Sequence, residues 1–348
     1  MSTNFLNPRQ AALAACAVLK SSIAARKSGG FATVPLLVGA PGVGKTSIAR
    51  QMAQVLGYDG LIVITPTMHT SLDLRGLPYV ADNETRFAAS QVLPKDKDAK
   101  FLILVDELAD CPIHEQSGFY QLLLDRKMGE YALPEGCDVV GATNDESHGA
   151  CANPLSSAIK TRVFVINVKS DVEQSIKYAL NNQWHPTVIG FMRFCGQELL
   201  DGFNPDDFAG GSTGRGLEQL SNVEKSEFPS DLTIGEAVAQ GLIGSEFGTK
   251  YATYRMLDIP SVQDVFDNPT KADVPEKDTG KLFAYCSMIA TSCDTPEKYR
   301  AVEKYAARLG RVDRIGLMAD CVRAFKNLKS TSTYATFAIE NQDLIVSI

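Results

Sequence analysis

Several patterns that would place a chain quickly are missing from these 348 residues. The eight cysteines are scattered, none forms C-x-x-C, and no cysteine–histidine grouping has zinc-finger spacing. That excludes a zinc module and argues for free thiols in an intracellular protein. His114-Glu115 opens like H-E-x-x-H, but Gly118 stands where the second histidine belongs, so no zinc site is read there. No apolar run near the N-terminus is long enough to span a bilayer. Residues 11–19 follow Asn7-Pro8-Arg9 without a basic leader or a small-residue cleavage site, and they read as a core-facing helix rather than a signal peptide. Basic excess is lacking too. The net charge of −7 argues against a protein that coats nucleic acid, without excluding a small basic channel. There is no internal repeat. Apolar content of 45% is ordinary for a soluble globular chain, and the length allows two or more domains.

What is present is a glycine-rich loop. Residues 39–46 read Gly-Ala-Pro-Gly-Val-Gly-Lys-Thr and match G-x-x-x-x-G-K-[ST]. Gly39, Pro41, Gly42, Val43, Gly44, Lys45, Thr46 and Ser47 are the candidate phosphate-binding residues. Glycines let backbone N–H groups turn inward onto phosphate oxygens, Lys45 can reach the β and γ phosphates, and the Thr46 hydroxyl can ligate Mg²⁺. The flanks agree: Val34-Pro35-Leu36-Leu37-Val38 reads as a buried strand, and residues 47–56 show helical apolar spacing that stops at Gly57. Strand, loop and helix in that order aim a helix N-terminus at an anion.

Four more apolar runs read as strands: residues 61–64, 101–105, 138–144 and 163–168. Helical patterns occupy 8–28 and 119–126, and residues 65–94 read as irregular. Strands alternating with helices imply a parallel sheet covered on both faces. After Ser170 only helices are expected, at 171–181, 186–200, 215–227, 234–242, 245–256, 281–293, 296–309 and 312–328. The last carries Ile315, Met318, Val322 and Phe325 at helical spacing, a core stripe. Residues 258–280, with Pro260, Pro269 and Pro275, read as a boundary.

The third strand ends in Asp106-Glu107, a Walker B pattern 61 residues after Lys45. Parallel sheets bind ligands at the carboxyl ends of their strands. Asp106 there is expected to share Mg²⁺ with Thr46, and Glu107 to polarise the attacking water. Asn144 ends the fourth strand, where a neutral amide can orient a water near the γ-phosphate without competing for the metal.

These motifs in this order resemble AAA+ ATPases, and within them the MoxR-type group. Asp73-Leu74-Arg75-Gly76-Leu77-Pro78 and the run from Leu122 to Glu130 carry the finer likeness. The resemblance covers roughly residues 30–225. It implies an α/β P-loop NTPase core with a parallel sheet flanked by helices (residues 1–169) and an α-helical lid (170–257); the helical pattern adds further C-terminal helices (258–348), and the resemblance gives residues 270–348 no family function. It also implies a homo-oligomeric ring, commonly hexameric, with ATP bound between neighbours. Arg162 stands where the family places its arginine finger, with Lys160 nearby; guanidinium bridges γ-phosphate oxygens well. Arg215 takes the sensor 2 position, although Gly214 and Leu217 replace the family's proline and aromatic residue.

The reading that results is an ATP hydrolase using ATP and Mg²⁺, cytoplasmic (or in the host cytoplasm if viral), remodelling a protein client. A von Willebrand A domain protein is one candidate client. Two rivals stay open. A nucleic-acid loader or motor would need a basic, aromatic-lined channel, but Lys95, Lys97 and Lys100 alternate with Asp96 and Asp98. An ATP-dependent assembly scaffold would not need Glu107. Thr270-Lys271-Ala272-Asp273 matches a guanine-specificity pattern but sits in a polar stretch after no strand, so ATP is preferred to GTP.

Overall fold

A computed structural model describes residues 4–88, 90–144, 153, 155, 157–204, 206–207 and 209–341. The chain divides into two compact units, Met1–Ser170 and Asp171–Ile348.

The first unit opens with α1 (Pro8–Lys27), started by a capping box in which Asn7 and Gln10 satisfy each other's backbone N–H groups. Then come β1 (Val34–Val38), α2 (Lys45–Leu56) and β2 (Gly60–Ile64). Next are α3 (Ser71–Arg75), β3 (Pro78–Ala81), β4 (Glu84–Phe87) and β5 (Phe101–Val105). After a 3-10 turn at Leu108–Asp110 follow α4 (Ile113–Asp125), β6 (Lys127–Met128), β7 (Tyr131–Ala132), β8 (Asp138–Thr143), α5 (Ser157–Lys160) and β9 (Val163–Asn167). Five of the strands form one parallel sheet in the order β2-β5-β8-β1-β9. Pro35 is tolerated because β1 meets β8 only from Leu36 onward.

Strand alternation sends side chains to two apolar layers. Leu37, Leu102, Leu104, Val140 and Ala142 pack with α1 and α2. Leu36, Ile103, Val105 and Val139 pack with Phe119, Leu122 and Leu123 of α4. Residues 65–94 are not irregular as expected: they hold α3 and the β3–β4 hairpin. Asp82 and Asn83 take φ of 53° and 61°, the left-handed pair that a two-residue hairpin turn needs. Thr70 caps α3, and the Arg75 guanidinium lies 4.3 Å from the centre of the Phe87 ring. The hairpin and the segment before it expose Met68, Leu72, Leu77, Tyr79 and Val80.

The second unit is helical: α6 (Val172–Asn181), α7 (Pro186–Cys195), α8 (Gln197–Leu200), α9 (Gly214–Glu227), α10 (Leu232–Ile243), α11 (Ser245–Arg255), α12 (Val262–Asp267), α13 (Thr279–Ser292), α14 (Pro296–Ala306), α15 (Arg311–Ala324) and α16 (Ser332–Glu340). The single helix expected over 186–200 is two, broken at Gly196 with φ of 64°. Two short helices were not anticipated, α12 and α16, and each inserts one anchor, Val265 and Phe337. One apolar cluster gathers around Phe191, Leu217 and Tyr251, and a second around Tyr285, Tyr299 and Met318. Ile315, Met318 and Val322 are buried as the stripe on α15 requires. Asp320, 4% exposed, pairs with Arg193 and, at 2.8 Å, with Arg323. Burial opposes the Arg193 charge, but Asp320 and Glu173 beside it raise its pKa all the same.

Seven cysteines are free thiols, and Cys151 lies outside the described residues. Among the described residues no helix is long and apolar enough to cross a membrane.

Candidate active site

All five strands of a parallel sheet end at one edge, so the segments that leave β1, β5 and β8 must converge there. They are the glycine loop, Asp106-Glu107 and Asn144. The loop begins under a tight constraint: a Cβ on Gly39 would lie 2.5 Å from the Val168 carbonyl oxygen, so no other residue fits. Gly44 has φ of 98° and starts α2 without a side-chain cap. Val43 points into the apolar layer beneath the loop, which leaves its backbone for a ligand; Pro41, Gly42 and Ser47 are half-buried.

Lys45, 8% exposed, donates from Nζ to the carbonyls of Gly39 at 2.8 Å and Ala40 at 3.0 Å. It also donates to Asn144 Oδ1 at 2.8 Å. The Thr46 hydroxyl donates to Asp106 Oδ2 at 2.9 Å. Residues 99 apart in sequence thus meet at one cation, and residues 60 apart meet at one carboxylate. Mg²⁺ is held in such sites by one or two protein oxygens together with phosphate and water. The Thr46 hydroxyl and Asp106 carboxylate are two hard oxygens within reach of one ion, so the donor set fits.

Glu107 is exposed and holds φ of 55°, ψ of 40°, a left-handed conformation that burdens a residue with a Cβ by roughly 1–2 kcal/mol. Its N–H donates to Asp106 Oδ1 at 3.0 Å, and its carbonyl accepts from Asp110 N at 3.0 Å. Backbone strain of this kind gathers at functional sites. Burial, with Glu115 nearby, pushes the Cys111 thiol up to about 11, so it stays protonated at neutral pH.

Arg162 is at the other edge of the sheet. It is exposed and immediately precedes β9, with its carbonyl accepting from Val34 N, where β1 begins. The five residues of β1 separate that edge from the glycine loop, about 16 Å at 3.3 Å per residue. Lys160 lines a cavity of about 370 Å³ on the sheet face together with Val38, Thr143, Asn144, Val163 and Val165. Arg215 belongs to the helical unit, exposed on the first turn of α9. The guanine-type motif at 270–273 follows α12 and no strand of the sheet. Two features escaped sequence reading. The apolar hairpin was signalled by Asp82-Asn83 between alternating residues. Thr143 was signalled only by standing one residue before Asn144.

Residues 35–163 match the family model of the AAA domain, dynein-related subfamily. With the sheet order and the loop geometry, that decides the fold. The first unit has the α/β fold of AAA+ P-loop proteins. The family is one of ATP-hydrolysing P-loop proteins. A midasin from Giardia intestinalis is 31% identical over 151 residues, covering 41% of this chain; the match spans 3% of that protein's length. Among solved structures, NtrX from Brucella abortus is similar at 12% identity and a TM-score of 0.37, covering 94% of this chain and 68% of its own. A RuvB variant from Thermotoga maritima is similar at 16% identity and 0.38, covering 94% and 87%.

Proposed function

We propose that this chain is a ring-forming, MoxR-type AAA+ ATPase that couples Mg-ATP hydrolysis to remodelling of a protein partner. The observation that carries it is the meeting of Lys45 with Asn144 and of Thr46 with Asp106 at the strand ends. Lys45 holds the β and γ phosphates, Thr46 and Asp106 hold Mg²⁺, and Mg²⁺ when bound neutralises charge on the phosphates. Glu107 accepts a proton from the attacking water, which Asn144 orients. Residues 170–257 serve as the lid, where Arg215 acts as a sensor, and residues 258–348 form a helical extension.

The distance of Arg162 from its own loop, roughly 16 Å against a side chain of about 7 Å, supports a finger that works on a neighbour's ATP. That in turn supports a ring. The exposed Met68, Leu72, Leu77, Tyr79 and Val80 support an apolar polypeptide as client, such as a segment of a von Willebrand A domain partner, over a phosphate backbone. The net charge of −7 points the same way.

Paired variants test the core of this reading. Lys45→Ala should abolish tight ATP binding. Glu107→Gln should keep binding and lose turnover, because the amide is nearly isosteric but accepts no proton. Nucleotide affinity and steady-state hydrolysis are the measurements. Wild-type turnover by Glu107→Gln would remove the role given to that carboxylate.

A further inference from the structure

The backbone ladder between β5 and β8 runs from Leu102↔Asp138 to Val105↔Gly141 and stops there. Asp106 and Glu107 on one strand, and Thr143 and Asn144 on the other, therefore lie past the last register pair. Beyond it a side chain links the two strand ends. Thr143 is the last residue of β8 and is 3% exposed. Its Oγ1 accepts from the backbone N–H of Ala109 at 3.2 Å and donates to the carbonyl oxygen of Asn144 at 3.4 Å.

Ala109 is the middle residue of the 3-10 turn that starts directly after Glu107, and it is 5% exposed. Glu107 itself holds a left-handed backbone, which persists only where the surroundings over-determine it. The Thr143 hydroxyl is one of those surroundings. Asn144, at the other end of that hydroxyl's reach, accepts from Lys45. Lys45, Asn144, Thr143 and Ala109 thus form one hydrogen-bonded series from the phosphate-binding lysine to the turn that carries Glu107.

We propose that Thr143 is a positioning residue for hydrolysis: its hydroxyl sets the Walker B turn, and so the Glu107 carboxylate, in register with Asn144. The inference rests on the roles given above to Glu107 and Asn144. A purely structural threonine would satisfy the buried Ala109 N–H and do no more. Its loss would lower stability and leave the chemical step alone.

Thr143→Val keeps the shape and removes the hydroxyl, while Thr143→Ser keeps the hydroxyl. Thr143→Val should lower kcat by roughly tenfold, the size expected when one buried hydrogen bond is left unmade. KM for ATP and the affinity for a fluorescent ADP analogue should stay within about twofold, and Thr143→Ser should recover most of kcat. Should the valine chain not fold, Thr143→Cys replaces it, since sulfur is a weak acceptor and kcat should still fall. Wild-type kcat in Thr143→Val or Thr143→Cys overturns the proposal. So does a serine variant as slow as valine, or a loss of ATP affinity equal to the loss of kcat. Glu107→Gln is assayed beside them. If it turns over ATP normally, the reading of the carboxylate fails. If it is inactive while Thr143→Val is normal, only the role of Thr143 fails.

Discussion

Helix α2 and six of the eleven described helices of the second unit begin in opposite ways, while α7, α8, α11, α12 and α15 start without a side-chain cap as α2 does. α2 starts on Gly44, with no side-chain cap. α6, α9, α10, α13, α14 and α16 start on Asp171, Thr213, Asp231, Asp278, Thr295 and Thr331, each of whose side chains accepts a backbone N–H. A side-chain cap closes a helix N-terminus and stabilises the fold, while a glycine start leaves room for a ligand anion. A similar contrast holds for charge. In the α/β unit the key polar groups sit at strand ends, where Glu107 carries strain. In the helical unit Asp320 is buried between two arginines. The first unit gives up local stability where chemistry is expected, and the second spends its polar groups on holding itself together.

The largest effect that would break this contrast concerns Arg162. Arg162→Ala should lose on the order of a thousandfold in turnover while melting and ATP affinity stay near wild type. Mixing it with Lys45→Ala should restore part of the activity, because some interfaces then pair an intact glycine loop with an intact Arg162. Calorimetry and ATPase assays on exchanged oligomers decide. Verified mixed oligomers without recovery would count against action in trans.

Asp320→Ala should have the opposite profile. It leaves Arg193 and Arg323 without their shared carboxylate and should destabilise by about 3–5 kcal/mol in chemical denaturation. ATP affinity under native conditions should be unchanged. An unmoved unfolding midpoint would show the cluster to be dispensable.

Removing a cap is a milder version. Asp278→Ala deletes the acceptor for Lys281 N and should lower stability by about 1 kcal/mol, again without touching ATP affinity. A comparable loss of nucleotide binding would erase the division of labour between the units.

A further effect is alkaline. Burial pushes Cys195 up to about 11, and Cys286 and Tyr285 to about 12, above ordinary values of 9.0, 9.0 and 10.0. A folded-state pKa raised in this way gives stability that is fully present below the ordinary value. It is lost as pH rises through the folded one, because the unfolded chain gives up its protons first. The urea midpoint followed by the fluorescence of Trp184, the single tryptophan and part of the helical core, should therefore fall between about pH 9 and 11. A flat profile would mean that these groups titrate as they do in the unfolded chain.

Much of the first unit was legible because its signals are local. Residues 39–46 name their own geometry, since Gly39 and Gly44 occupy positions that side chains cannot. The apolar runs of β1, β5 and β8 are long enough to read as buried strands. The hairpin at 78–87 was lost among charges, because its apolar residues are exposed and leave no core pattern. In the second unit, short helices such as α12 carry too few apolar residues to show a period, and Gly196 breaks a stripe that looks continuous on paper.

The residue types of the candidate site and their order along the chain were determined by the sequence itself, because loop and strand-end motifs are written in consecutive residues. Which of those residues touch was decided only by the tertiary structure. Lys45 meets Asn144, Thr46 meets Asp106, and Thr143 reaches Ala109 because a parallel sheet ordered β2-β5-β8-β1-β9 brings the ends of its strands to one edge. The same sheet carries Arg162 to the opposite edge, since a residue that precedes a strand and a loop that follows its neighbour are held a strand's length apart.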